Sequence, residues 1–222
     1  MGTAANSPAW YQRFTAVERD GASELYRVLA DERRRTLLSV LRQCDTPVSE
    51  SRLARLVTAC ETGNSANAVT TADHERVQLL FHHVHLPHLE AAGLIERADN
   101  GQIICTQHPF WASSDVRTLL TQDQVAPDTT TMTFDLLTDE RRRAILTLLK
   151  DQQELTVREV AEELTETPLT GQELSKVTAE LVHCHLPKLK EANVVQVDSS
   201  GSRICYTGNV VLEGWFSEVR TR

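Results

Sequence analysis

The chain has 222 residues, 41% of them hydrophobic, which is enough apolar material for an ordinary core in one or two domains. Twenty-three Lys and Arg against 31 Asp and Glu give a net charge of −8, which excludes a uniformly basic nucleic-acid binder. Apolar stretches run only a few residues and the first thirty residues lack a basic start followed by an apolar core, so neither a membrane span nor a secretory signal is expected, and a cytoplasmic protein is.

Residues 1–22 form an N-terminal arm whose Trp10, Tyr11 and Phe14 are expected to pack on their own domain, with a dimer contact as the alternative. Beyond the arm the chain repeats itself. Leu29-Ala-Asp-Glu-Arg-Arg-Arg-Thr-Leu-Leu38 returns as Leu137-Thr-Asp-Glu-Arg-Arg-Arg-Ala-Ile-Leu146, displaced by 108 positions with seven of ten residues identical. His83-Val-His-Leu-Pro-His-Leu89 returns as His183-Cys-His-Leu-Pro-Lys-Leu189 at a displacement of 100, and Ile104-Cys105 matches Ile204-Cys205 at the same displacement. The first copy thus holds about eight extra residues, which loop composition assigns to Glu61–Thr70.

In each copy Asp31 or Asp139 caps a helix that starts at the following Glu and carries Leu37, Leu38 and Leu41, or their counterparts, on one side. A short second helix follows Ser49, and its partner follows the capping box Thr156-Val-Arg-Glu159. A third begins near Thr71, and in the second copy at another capping box, Thr170-Gly-Gln-Glu173. Ala92-Gly93 and Ala192-Asn193 end these helices in residues that tolerate a left-handed cap. A hairpin closes each unit, Leu94–Ala98 with Gln102–Thr106 around Asp99-Asn-Gly101, and Val194–Val197 with Arg203–Tyr206 around Asp198–Ser202. The reading is mainly α with small β-wings (α+β): two tandem winged helix-turn-helix domains, 23–112 and 132–222, the second ending in a C-terminal helix with Trp215 and Phe216. A linker, 113–131, joins them, with Pro127 stopping a helix over Val116–Leu120.

The five cysteines are scattered singly, so no disulfide framework or zinc knuckle is expected. Cys105 and Cys205 read as small buried residues in wing strands. Six of eight histidines fall in the two His-Leu-Pro segments, but the repeated pair, two apart on a helix, points to different sides, and Pro87 and Pro187 kink the helix there. Structural roles are therefore expected for them, with no metal and no cofactor. There is no glycine-rich phosphate loop, nucleophile elbow or paired-carboxylate site, so neither catalytic residues nor a small-molecule substrate are inferred.

The opening Leu29–Leu38 and the later His85-Leu-Pro-His-Leu-Glu-Ala-Ala-Gly-Leu-Ile95 resemble the first helix and the recognition-helix-to-wing segment of ArsR-type winged-helix regulators. The His-x-His-Leu-Pro-x-Leu version resembles a winged-helix domain of halophilic archaea. A composition of 19 Arg, 4 Lys and 24 Thr agrees with that resemblance. It implies transcriptional control with double-stranded DNA as partner, often as a homodimer, with the third helix in the major groove and the wing along the backbone. The cysteine pair by which many such regulators sense metal is missing.

Residues expected to touch DNA are His74, Arg76, Gln78 and His82 on the third helix of the first copy, and Gln172, Ser175, Lys176 and Thr178 in the second, since Arg and Gln suit guanine and adenine edges. Wing residues Arg97 and Arg203 are expected at phosphates. Glu75, Glu173 and Glu180 oppose this, and a protein-contact or dimerisation module that does not read DNA is the alternative. Three successive helical positions spread over ~300° of arc, so Arg33–Arg35 and Arg141–Arg143 do not all face one partner. Salt bridges to the adjacent Asp31, Glu32, Asp139 and Glu140 are expected for some of them.

Overall fold

The computed structural model describes residues 7–17, 21–44, 47–112 and 126–220. The helix expected over Val116–Leu120 and the side chain of Trp215 lie outside the described residues. The chain divides into two units, Arg27–Pro127 and, together, Met1–Tyr26 with Asp128–Arg222. They are called here the first and the second unit, after the repeat each contains.

The described elements are, in chain order, α1 (Ala9–Val17), α2 (Ala22–Leu29), α3 (Glu32–Gln43), β1 (Val48–Ser49), α4 (Glu50–Thr62), α5 (Thr71–Leu80), α6 (Leu86–Ala91), β2 (Ile95–Arg97), β3 (Gln102–Cys105) and α7 (Pro109–Ala112). The second repeat supplies α8 (Pro127–Leu137), α9 (Glu140–Gln152), β4 (Glu154–Thr156), α10 (Val157–Thr165), α11 (Leu174–Glu180), α12 (Leu186–Glu191), β5 (Val195–Val197), β6 (Arg203–Tyr206) and α13 (Val210–Arg220). Each unit has the winged-helix order of helix, strand, two helices and hairpin. The wing is a three-stranded antiparallel sheet rather than a bare hairpin, ordered β1-β3-β2 and β4-β6-β5. Strands of two and three residues, β1 and β4, make no periodic pattern and exist by pairing with a partner far along the chain.

Helix starts follow local capping. Asp31 accepts from the Arg34 N–H at 2.9 Å and Asp139 from Arg142 at 3.0 Å. Thr156 and Glu159 form the expected capping box, whereas Thr170 does not, because α11 starts only at Leu174 after Glu173. Pro127 opens α8, a place where its fixed φ suits the first turn. Gly93 and Asn193 take the left-handed conformation that ends α6 and α12 (φ 68° and 55°).

The extra residues of the first copy are taken up in helix, with Glu61 and Thr62 of the expected segment forming the end of α4. Residues 63–70 and 166–173 are equally long connections, while α4 has 13 residues against 9 in α10, and α5 has 10 against 7 in α11. The second wing, in turn, is longer by one turn residue. Arg97 pairs with Ile103 but Val197 with Ile204, so the buried Ile103 corresponds to Ile204, and Cys105 to Tyr206 rather than to Cys205. A one-residue change of register exchanges the faces of a strand, which is why matching Cys105 to Cys205 fails. Both cysteines are half-buried, and burial, with Cys44 nearby, pushes the Cys105 thiol up to about 11.

Each core joins the first helix, the helix pair and the sheet: Leu37, Leu41, Leu53, Phe81, Leu89 and Leu94 in one unit, Ile145, Leu149, Val160, Leu181, Leu189 and Val194 in the other. The arm does not pack on the repeat it precedes. Helix α1 lies against α9, with Trp10 and Phe14 buried, Trp10 Nε1 donating to Glu163 at 2.6 Å and Arg13 paired with Asp151. Among the described residues no helix is long and apolar enough to cross a membrane.

Candidate nucleic-acid interface

The third helix of each unit is held at its C-terminal end, and that of the first unit at its N-terminal end as well. At its C-terminal end, the proline of the His-Leu-Pro segment lacks the N–H that an α-helix needs. The chain responds with a π-helical turn, Phe81–His85 and Leu181–His185, in which the Leu86 N–H donates to Phe81 and that of Leu186 to Leu181, five residues back. This turn buries His85 and His185 and leaves His83 and His183 exposed, so the two repeated imidazoles do face different ways. His85 Nδ1 lies 3.8 Å from Asp31, short of a hydrogen bond, and neither His85 Nδ1 nor His185 Nδ1 has a hydrogen-bond partner. Burial lowers both pKa values, against the opposing pull of Asp31 and Asp139.

At the N-terminal end of α5, His74 is buried rather than exposed. Its Nε2 donates to the Ser51 carbonyl at 2.9 Å and lies 3.2 Å from Ser51 Oγ, tying α5 to the first turn of α4. His74 is therefore removed from the set of groups able to reach a base. The missed signal is its spacing, since His74, Val77 and Phe81 are three and four apart and form one buried stripe.

The exposed face of α5 carries Glu75, Arg76 and Leu79, with Gln78 half-buried at its edge. His82 is exposed but lies 3.2 Å from Glu50. On α11, Ser175 and Lys176 are exposed, while Thr178 is half-buried and donates to the Leu174 carbonyl at 2.8 Å. Gln172 lies in the loop before α11, not on the helix, because the helix begins three residues later than the capping pattern implied. The two wing arginines are paired within their own units: Arg97 with Glu90 at 3.0 Å and Glu50 at 3.6 Å, Arg203 with Glu154 at 2.5 Å.

The arginine triplets are used up in the fold. Arg34 donates to the carbonyls of Arg27 and Val28, and Arg35 to that of Leu29, so both close the end of α2. Arg142 and Arg143 treat Asp135, Leu136 and Leu137 at the end of α8 in the same way. Orphan carbonyls of a preceding helix thus accept from all four. Arg33 binds Glu61 through two nitrogens, at 2.6 and 3.1 Å, and Arg141 binds Glu180 at 2.6 Å. Two further arginines that sequence reasoning passed over, Arg52 and Arg55, stand exposed on α4. Among the described residues no group of three or more His, Cys, Asp or Glu side chains is arranged to hold a metal ion.

A family model described as Domain of unknown function (DUF7344) matches residues 26–105 and again 134–205. The chain belongs to the DUF7344 family. Each DUF7344 segment runs from the helix before the Asp-Glu-Arg-Arg-Arg sequence to the last wing strand, so the duplication read from the sequence is a duplication of this domain. Helix α1 and helix α13 lie outside both DUF7344 segments. No curated protein and no solved structure matches the chain significantly.

Proposed function

We propose that this protein is a cytoplasmic DNA-binding transcriptional regulator, ArsR-like in its winged-helix design, that offers its third helices to the major groove of duplex DNA. The observation that carries this reading is an exposed cation at one repeated position, Arg76 on α5 and Lys176 on α11, with an exposed imidazole seven residues on in each, His83 and His183. Among the described residues neither cation has an ionic partner, in contrast to the paired Arg97 and Arg203. An unpaired cation on the exposed face of a helix that a winged fold projects outward suits guanine edges or phosphate.

One observation favours the alternative, a surface for another protein or a second copy of the chain: Leu79 is 61% exposed on the same face as Arg76. Selection of the purified chain on random duplex DNA, in molar potassium chloride and in dilute buffer, separates the two readings. An enriched sequence motif at either salt level is the expected result, whereas well-folded protein that enriches none is a protein-contact module.

A further inference from the structure

Counted from the helix caps Ser49 and Thr156, Arg52 and Arg55 of α4 stand where α10 has Glu159 and Glu162. The buried residues confirm the register: Leu53, Ala54 and Val57 correspond to Val160, Ala161 and Leu164. The same helix of the same domain thus presents opposite charge in the two repeats. Arg52 and Arg55 are three apart, so they occupy one side of the helix, and Arg55 is one turn from Ser51, the residue that holds His74 at the start of α5. Both are exposed and, among the described residues, have no ionic partner. Their counterparts are engaged: Glu159 closes the capping box with Thr156, and Glu162 accepts from Arg158 at 2.7 Å.

Charge over the whole units follows the same division. Arg27–Pro127 has 10 basic against 12 acidic residues, a net −2, and the other unit 13 against 19, a net −6. The second unit's remaining unpaired cations near its third helix, Lys188 and Lys190, lie beyond the π-helical turn, twelve or more residues from Lys176 and thus about 18 Å or more along the helix. Against the first unit stand Asp73 and Glu75 on α5, although Asp73 accepts from Thr70.

We infer that the duplicated domains have divided their work, so that the phosphate backbone is gripped by the first unit through Arg52 and Arg55 together with Arg76, while the second unit makes no phosphate contact. This rests on the DNA-binding reading and specifies which domain, and which helix within it, carries it. The consequence is a protein that grips the phosphate backbone through one domain per chain despite having two winged domains.

The test is binding of the full chain to a random duplex of about 40 base pairs, followed as a function of potassium chloride, because each phosphate contact contributes about 0.9 to the slope of log affinity against log salt. Arg52→Gln with Arg55→Gln is expected to reduce that slope by about 2 and to weaken binding several-fold in dilute buffer. Lys188→Gln combined with Lys190→Gln is expected to change neither. All four positions are exposed, and circular dichroism melts equal to wild type verify that the variants are folded. An unchanged slope in the arginine variant, or an equal reduction in the lysine variant, overturns the division of work while leaving DNA binding intact. A wild-type chain without salt-dependent binding overturns the DNA reading and this inference together.

Discussion

Arg35 donates to the carbonyl of Leu29 across 2.7 Å, closing the last turn of one helix from the first turn of the next. Arg143 repeats the contact with Leu137. These guanidiniums are 6% and 1% exposed, so truncation strands buried carbonyls and removes the packed stem. Arg35→Ala or Arg143→Ala is expected to cost about 2–4 kcal/mol in the unit affected, read by urea unfolding. Arg33→Ala, which loses a surface pair with Glu61, should cost less than about 1 kcal/mol. Equal losses would contradict the division of roles within the triplet.

The buried histidines set a pH dependence. Burial, the first cause, holds His85 and His185 below the ordinary imidazole value, with Arg34, Arg33, Arg142 and Arg141 acting in the same direction and Asp31, Glu61, Asp139 and Glu180 against it. The unfolded chain therefore binds more protons than the folded one at mildly acid pH, so their contribution is fully present above about pH 6.5 and is lost as pH falls through the folded value. The melting temperature should drop between pH 7 and pH 5, and His85→Gln with His185→Gln should flatten that part of the profile. A profile as steep as wild type in the double variant would assign the dependence to other groups.

Arg76→Ala and Gln78→Ala are expected to weaken binding to a selected DNA site, by about 1–3 kcal/mol for a residue that reads a base, without moving the melting temperature. His74→Ala should behave the opposite way. It removes a buried ring that ties α5 to Ser51 on α4 and should lower stability by about 1–3 kcal/mol. Parallel melts and binding titrations distinguish the two classes, and loss of base preference in a fully stable His74→Ala protein would return that residue to the reading face.

Trp10 is 4% exposed and donates to Glu163, so Trp10→Ala should destabilise the second unit by about 3–5 kcal/mol and leave the first unchanged. Hydrogen exchange resolves this by segment. Faster exchange confined to residues 140–163 is expected, and faster exchange in residues 32–62 would contradict the placement of the arm.

What could be read from the sequence was local. Asp31, Ser49, Thr156, Gly93 and Asn193 announce helix ends by chemistry confined to a few residues, and all five act where expected. Pro87 announced a disturbed helix, though not that a π turn would absorb it. Strand β1 needs Ile103, some fifty residues on, and Trp10 needs Glu163; no periodicity encodes such pairings. The Arg-Arg-Arg runs were conspicuous as charge, but Arg34, Arg35, Arg142 and Arg143 donate to backbone carbonyls, which no side-chain pattern reveals. The charge reversal between Arg52 and Glu159 was present in the letters, and became readable once the caps aligned the repeats.

The docking of α1 on α9 also imposes an order on synthesis. Trp10 and Glu163 are 153 positions apart, so at ~5–20 residues per second the arm leaves the ribosome roughly 8–30 s before its acceptor has been made. The intervening first unit, Arg27–Pro127, is complete within that interval and free to fold. Two apolar arm residues, Trp10 and Phe14, lack their final packing partners meanwhile, and late docking of the arm completes the second unit.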